Sequence, residues 1–188
     1  SGLGMKHITL TFCVLFFVTF CFSQQKLASL SQNDIVKING QQYHIDKLKG
    51  GATIENASNR FIDTKPSYPN LPHNVGYMSL FNKVNKQLIN ICAKYISSAE
   101  LLELRRLKET GLLIKIRVDS NGSILEVGFF TGKNSILSVK QLQEIEKAIK
   151  KEVRIVPNEH SKEFLRGTNF ALLDPLIFFS DILKAKEK

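Results

Sequence analysis

Residues 112–118 and 123–130 are two runs of alternating character on either side of Asn121-Gly122, and no other segment restricts the architecture as much. Asn-Gly supplies the positive φ angles of a tight type I′ turn. A two-residue turn there pairs Val118 with Leu125, Ile116 with Val127 and Ile114 with Phe129, and period-2 geometry puts all six side chains on one face. On the opposite face the same register sets Arg117 against Glu126, an opposite-charge cross-strand pair. A one-residue slip loses both features. The segment is therefore expected to be an antiparallel hairpin with one apolar face.

Helical patterns flank it. Leu80, Val84, Leu88, Ile91, Cys92 and Tyr95 recur at helical spacing, which predicts an amphipathic helix over 79–95. Ser97 with Glu100 forms a capping box for a second helix ending at Gly111, with Leu101, Leu104 and Leu107 as its buried stripe. Ser138 with Gln141 opens another helix through Lys151, whose Glu146 and Lys150 are expected to form an outward i,i+4 pair. Residues 153–156 read as a short strand ended by Pro157, and 169–179 as a final strand before the charged tail 184–188. Upstream, 24–63 reads as a β arm. It holds a hairpin around Asn39-Gly40 and a candidate third strand near 52–55, and a proline-containing linker, 64–76, follows it. Residues 77–183 then form one α+β domain.

The N-terminus sets the compartment. Lys6 and His7 lead into an apolar run from Ile8 to Phe22 that ends at Ser23, the pattern of an export signal over 5–23; residues 1–4 read as an extension without signal character. Ordinary cleavage after Ser23 leaves Gln24 as the mature N-terminus. The alternatives are lipid anchoring at Cys21, which Phe20 just before it disfavours, and an uncleaved anchor. Of three cysteines in the sequence, Cys13 and Cys21 lie in this segment. The remaining chain has only Cys92, so no internal disulfide and no cysteine metal cluster is expected. The formal charge of +9 suits solubility or attraction to anionic envelope surfaces. Export and the lack of interleaved aromatic residues argue against nucleic acid.

The order helix, strand, Asp119-Ser-Asn-Gly122, strand, helix, strand, strand resembles the C-terminal domain of TonB-type proteins. Gly111, Ile114/Ile116/Val118, Ile124-Leu-Glu-Val127, the helix over 138–151, Pro157 and Pro175-Leu-Ile-Phe178 carry the likeness across 97–179. The whole chain is also similar to small uncharacterised exported proteins of gut-type Gram-negative bacteria. The resemblance implies a small antiparallel sheet packed by helices on one face, here with an N-terminal β-hairpin arm. It does not imply energy transduction. Ser97-Ser-Ala-Glu100 and Ile155-Val-Pro157 replace the family's Tyr-Pro and Trp-x-Pro, and the proline stretch is far shorter than a TonB spacer.

Chemistry-bearing residues are sparse. Cys92 with His73 or His160 as base would make a nucleophile, but Cys92 sits on an apolar helical stripe and reads as a buried structural residue. His44 falls in a strand, and His73 and His160 in polar loops; none has a partner at metal-ligand spacing, and no phosphate loop or hydrolase motif occurs. The expectation is a non-enzymatic envelope protein, periplasmic or secreted, without cofactor or metal. It would bind an envelope protein or peptide through an exposed sheet edge, either the last strand or the neighbour of the 112–130 hairpin, and the same edge could pair two copies as a homodimer. The alternatives are a small hydrolase or hydrolase inhibitor, and a carrier of an apolar ligand.

Overall fold

The computed structural model describes residues 26–30, 34–73 and 75–187. The signal segment, its Ser23/Gln24 cleavage point, Cys13 and Cys21 lie outside these residues. Seven strands form one antiparallel sheet: β1 (Asp34–Ile38), β2 (Gln41–Leu48), β3 (Gly51–Asn56), β4 (Gly111–Val118), β5 (Ile124–Gly132), β6 (Ala171–Leu173) and β7 (Leu176–Phe178). Their order is β1-β2-β3-β5-β4-β6, with β7 also on β4. Four helices, α1 (Asn85–Tyr95), α2 (Ser98–Arg106), α3 (Val139–Glu152) and α4 (Phe179–Lys186), cover one face. This is an α+β fold. None of the helices among the described residues is long and apolar enough to cross a membrane.

The β4–β5 hairpin keeps the expected register through most of its length and departs from it at the turn. Ile114 faces Phe129, Ile116 faces Val127 and Arg117 faces Glu126, but Val118 faces Ile124 across a register shift. Asn121 is not among the non-glycine residues with positive φ, so a type I′ turn is absent; only Gly122, at φ 87°, is left-handed. The Asp119 carboxylate accepts the N–H groups of Asn121 and Ser123, and Asp119 and Ser123 close a three-residue loop. That loop moves the register by one residue. Leu125, bulged and 38% exposed, moves it back. By contrast Asn39 and Gly40, at φ 48° and 80°, make the two-residue turn of the first hairpin.

The expected N-terminal hairpin is present, and it is joined to the central sheet through β3. β3 pairs with β5 from Gly51–Gly132 to Glu55–Gly128, so the first three strands widen the central sheet and cover the flank of the 112–130 hairpin. Both neighbours of that hairpin are therefore occupied. The alternation seen in sequence holds here: Tyr43, Ile45, Ile54, Phe129, Ile114 and Ile116 turn toward the helices and are fully buried.

The helices begin where their caps place them. Ser97 and Ser138 each accept from the third helical residue, and Glu100 and Gln141 reach back to complete both boxes. Other ends differ from expectation. α1 starts at Asn85, after a separate 3-10 turn at Tyr77–Leu80. α2 stops at Arg106, because Lys108 at φ 60° reverses the chain, and Gly111 opens β4 instead of closing the helix. Glu146 does not point outward: it is buried, and accepts from both the Tyr43 hydroxyl and Lys150. Residues 153–156 form no strand; they run extended to a single bridge between Phe81 and Pro157. The tail residues Lys184–Lys186 belong to α4, with the Lys186 ammonium on the Ala93 carbonyl.

Candidate functional site

The sheet ends in two edges, β1 on one side and β6 with β7 on the other. The expected final strand over 169–179 is interrupted at Asp174-Pro175, yet its register is continuous. Ile116 faces Leu173 in β6, and Leu112 faces Ile177 in β7, so each step along β4 is matched by one step back along the edge. Pro175 explains the interruption: it accepts from the Ile114 N–H at 3.1 Å but has no N–H to return.

Antiparallel pairing fixes which backbone groups turn outward. Ile114 bonds Pro175, and the Phe179 N–H bonds the Thr110 carbonyl at 3.0 Å, so the even-numbered residues of β4 point at the edge strand. The residues between, Leu172, Asp174, Leu176 and Phe178, must direct their N–H away from the sheet, and the first three their C=O as well, while the Phe178 C=O, at the N-cap of α4, takes the first helical bond. Leu172 verifies the parity, because its N–H donates outward to the Tyr68 hydroxyl at 3.1 Å. Leu176 and Phe178 carry the free part of this rim, and their side chains are 42% and 46% exposed. The same reasoning turns the backbone of Ile35 and Lys37 outward on β1, where the lysine blunts the edge.

Two grooves meet at β7, one on each side of the sheet plane. On the open face a cavity of about 480 Å³ has Leu113, Phe130 and Leu176 along its apolar part and Lys49, Lys108 and Lys133 at its mouth. On the helix side a cavity of about 430 Å³ lies among Leu101 of α2, Leu183 of α4, and Phe178 and Phe179.

The far end of the open face is closed by residues 57–73 over a buried charge cluster. Arg117 lies 3.2 Å from Glu55 and 3.6 Å from Glu126, with all three side chains nearly inaccessible. Asn59 donates to Glu55 at 2.9 Å, and the N–H groups of Arg60 and Phe61 donate to Glu126. Gly128 makes this possible, since a Cβ there would meet the Glu55 carboxylate at 2.3 Å. Asp174 adds a third carboxylate. Burial raises it above the ordinary carboxylate range, with Glu55 pushing the same way and Lys115 and Arg117 pulling against it. Its Oδ1 is buried without a hydrogen-bond partner among the described residues. The expected Arg117–Glu126 pair is thus present, and Glu55, Asn59 and Asp174 join it from other parts of the chain. Nothing local in the sequence links those positions.

The candidate nucleophile is not assembled. Cys92 is fully buried in α1, where burial pushes its thiol up to about 12, while His73, His160 and His44 are exposed. Among the described residues no cluster of three His, Cys, Asp or Glu is arranged to hold a metal.

No protein-family model matches the chain, and no curated protein matches it. The fold is similar to the crystal structure of a DUF5043 family protein from Bacteroides uniformis ATCC 8492. The TM-score is 0.64 over 78% of this chain and 85% of that one, at 19% sequence identity. That likeness establishes a shared fold.

Proposed function

We propose that this chain is a non-enzymatic, exported protein of the bacterial envelope that takes up an extended segment of a partner protein along the outer rim of β7. The observation that carries the reading is the coincidence at Leu176 and Phe178 of outward backbone groups with exposed apolar side chains. A strand added there would gain main-chain hydrogen bonds from the rim and specificity from the flanking grooves. The export-type segment 5–23 and the TonB-type order of residues 97–179 support the same reading. Periplasmic or secreted placement belongs to this proposal.

The test uses Phe178→Pro. Phe178 has φ −75° and ψ 135°, values proline accepts, and its N–H is not part of the ladder to β4. The variant should keep its melting temperature while losing one outward donor and the ring. Phe178→Ala keeps the donor. A displayed library of random linear peptides, panned on the full chain, should enrich sequences whose binding shifts the Leu176 and Phe178 amide resonances. Phe178→Pro should abolish that binding and Phe178→Ala weaken it. Undiminished binding to a folded Phe178→Pro chain, or enrichment of nothing, would overturn the reading. A dimer that dissociates in Phe178→Pro would instead identify a second copy as the occupant.

A further inference from the structure

We infer that the segment taken up at β7 is an extended strand in which acidic residues alternate with apolar ones, its carboxylates on the side of the open-face groove, where Lys108, just before β4, is the nearest lysine and Lys49 and Lys133 add to the field from farther across the sheet. This rests on the edge-binding reading above and adds the chemistry of the occupant.

A strand laid along the β7 rim sends successive side chains to opposite sides of the sheet. Every second residue would enter the open-face groove, and the others the helix-side groove. The two are chemically unlike. The helix-side groove has Leu101, Leu183 and the two phenylalanines as its apolar wall, with charges of both signs, Arg105 and Lys184 against Glu109 and Glu187, around it. The open-face groove gathers three lysines from separate parts of the chain: the β2–β3 turn, the end of α2 and the segment after β5. Among the described residues none of these lysines has a carboxylate within ion-pair distance. Glu109, the acidic residue of that groove, stays within it, accepting the Asn134 N–H at 2.8 Å and lying over Gly132, so the groove carries three cations against one carboxylate.

Lys108 adds an independent observation. At φ 60° it occupies the left-handed region where glycine or asparagine ends helices at lower cost, so the chain holds a strained residue and keeps the lysine at the groove mouth. Three like charges converging on one concavity raise the local concentration of anionic groups. The outward N–H groups of Leu176 and Phe178 and the Leu176 C=O suit an anion carried on a peptide backbone.

The experiment measures fluorescence anisotropy of labelled, end-blocked peptides with the full chain. One probe alternates valine with glutamate, a second alternates valine with lysine, and a third is polyglutamate of equal length. The valine–glutamate probe should bind at least about tenfold more tightly than either other, and weaken as salt is raised. Lys108→Gly should weaken it about two- to fivefold, the range of one rim charge, without lowering the melting temperature, because glycine relieves the strained φ. Equal binding of the first two probes would overturn the charge assignment and leave edge binding standing. Polyglutamate binding as well as the alternating probe would overturn the strand form. If no probe binds, or Phe178→Pro leaves binding unchanged, the edge reading falls and takes this inference with it.

Discussion

Arg117→Met removes the one cation between two buried carboxylates. The Arg117 side chain is 6% exposed and lies 3.2 Å from Glu55 and 3.6 Å from Glu126. At an effective dielectric near 20 each attraction is worth roughly 5 kcal/mol gross. Taking the guanidinium out of water on folding had cost several kcal/mol, and that penalty disappears with the arginine. The carboxylates stay buried, however. Asn59 still serves Glu55, and the Arg60 and Phe61 N–H groups still serve Glu126, but their charges are uncompensated. The net loss should be about 3–5 kcal/mol, the range for breaking a buried ion pair from one side. For a chain of this size that lowers the melting temperature by roughly 6–20 °C. Urea unfolding followed by circular dichroism gives the free energy directly. Adding Glu55→Gln to Arg117→Met should recover part of the loss, because one of the stranded charges is then gone while its Asn59 contact survives. A cost below about 1 kcal/mol for Arg117→Met, or no recovery in the double variant, would refute the account of the cluster.

Asp174→Asn should stabilise the protein at about pH 7, by under about 1 kcal/mol once solvent screening of this half-buried group is allowed for. The folded carboxyl titrates above its unfolded value, so its stabilising share is complete below the unfolded pKa, near 3.9, and is lost as pH rises through the folded one. The advantage of Asn should therefore shrink as thermal unfolding is repeated toward about pH 3; a variant less stable at neutral pH would contradict it. Cys92, with its thiol raised to about 12 and no exposure, should resist iodoacetamide in the native chain and react only on unfolding, as mass spectrometry of the intact protein would show. Rapid native labelling would mean that α1 opens locally.

Two Asn-Gly pairs mark two hairpins, and only one makes the turn that the dipeptide favours. Asn39-Gly40 stands alone between its strands, and both residues take positive φ. Asn121-Gly122 follows Asp119, whose carboxylate captures two N–H groups and holds Asn121 out of the left-handed region. The alternating pattern nevertheless specified the body of the hairpin correctly, because Leu125 bulges out and restores the facing of Arg117 and Glu126. Burial of one face outweighs local turn preference, and the mismatch collects at the residue that costs least to expose. The helices tell the same story. Both capping boxes were legible because they are local, whereas Glu146 was misread as surface because its hydroxyl partner, Tyr43, is supplied by a strand 103 positions away.

Proline in the last strand reads from sequence as an interruption, and for the ladder to β4 it is one. For the outer rim it is not. The N–H that Pro175 lacks would have pointed inward at Ile114, whereas the rim is built from the residues between the inward ones. Parity therefore carries the outward set unbroken from Leu172 to Phe178, and the length actually free is decided by something else: Tyr68, in the loop over 57–73, takes the Leu172 N–H and closes that end. The loop is held over the sheet by Asn169, which accepts the Ser67 N–H and donates to the Lys65 carbonyl, and by the Glu126 carboxylate beneath Arg60 and Phe61. The charge cluster thus has a consequence for the edge: by anchoring the loop it helps close the rim at Leu172, and Leu176 and Phe178, beyond that end, are the two positions where exposed apolar side chains and grooves are already in place.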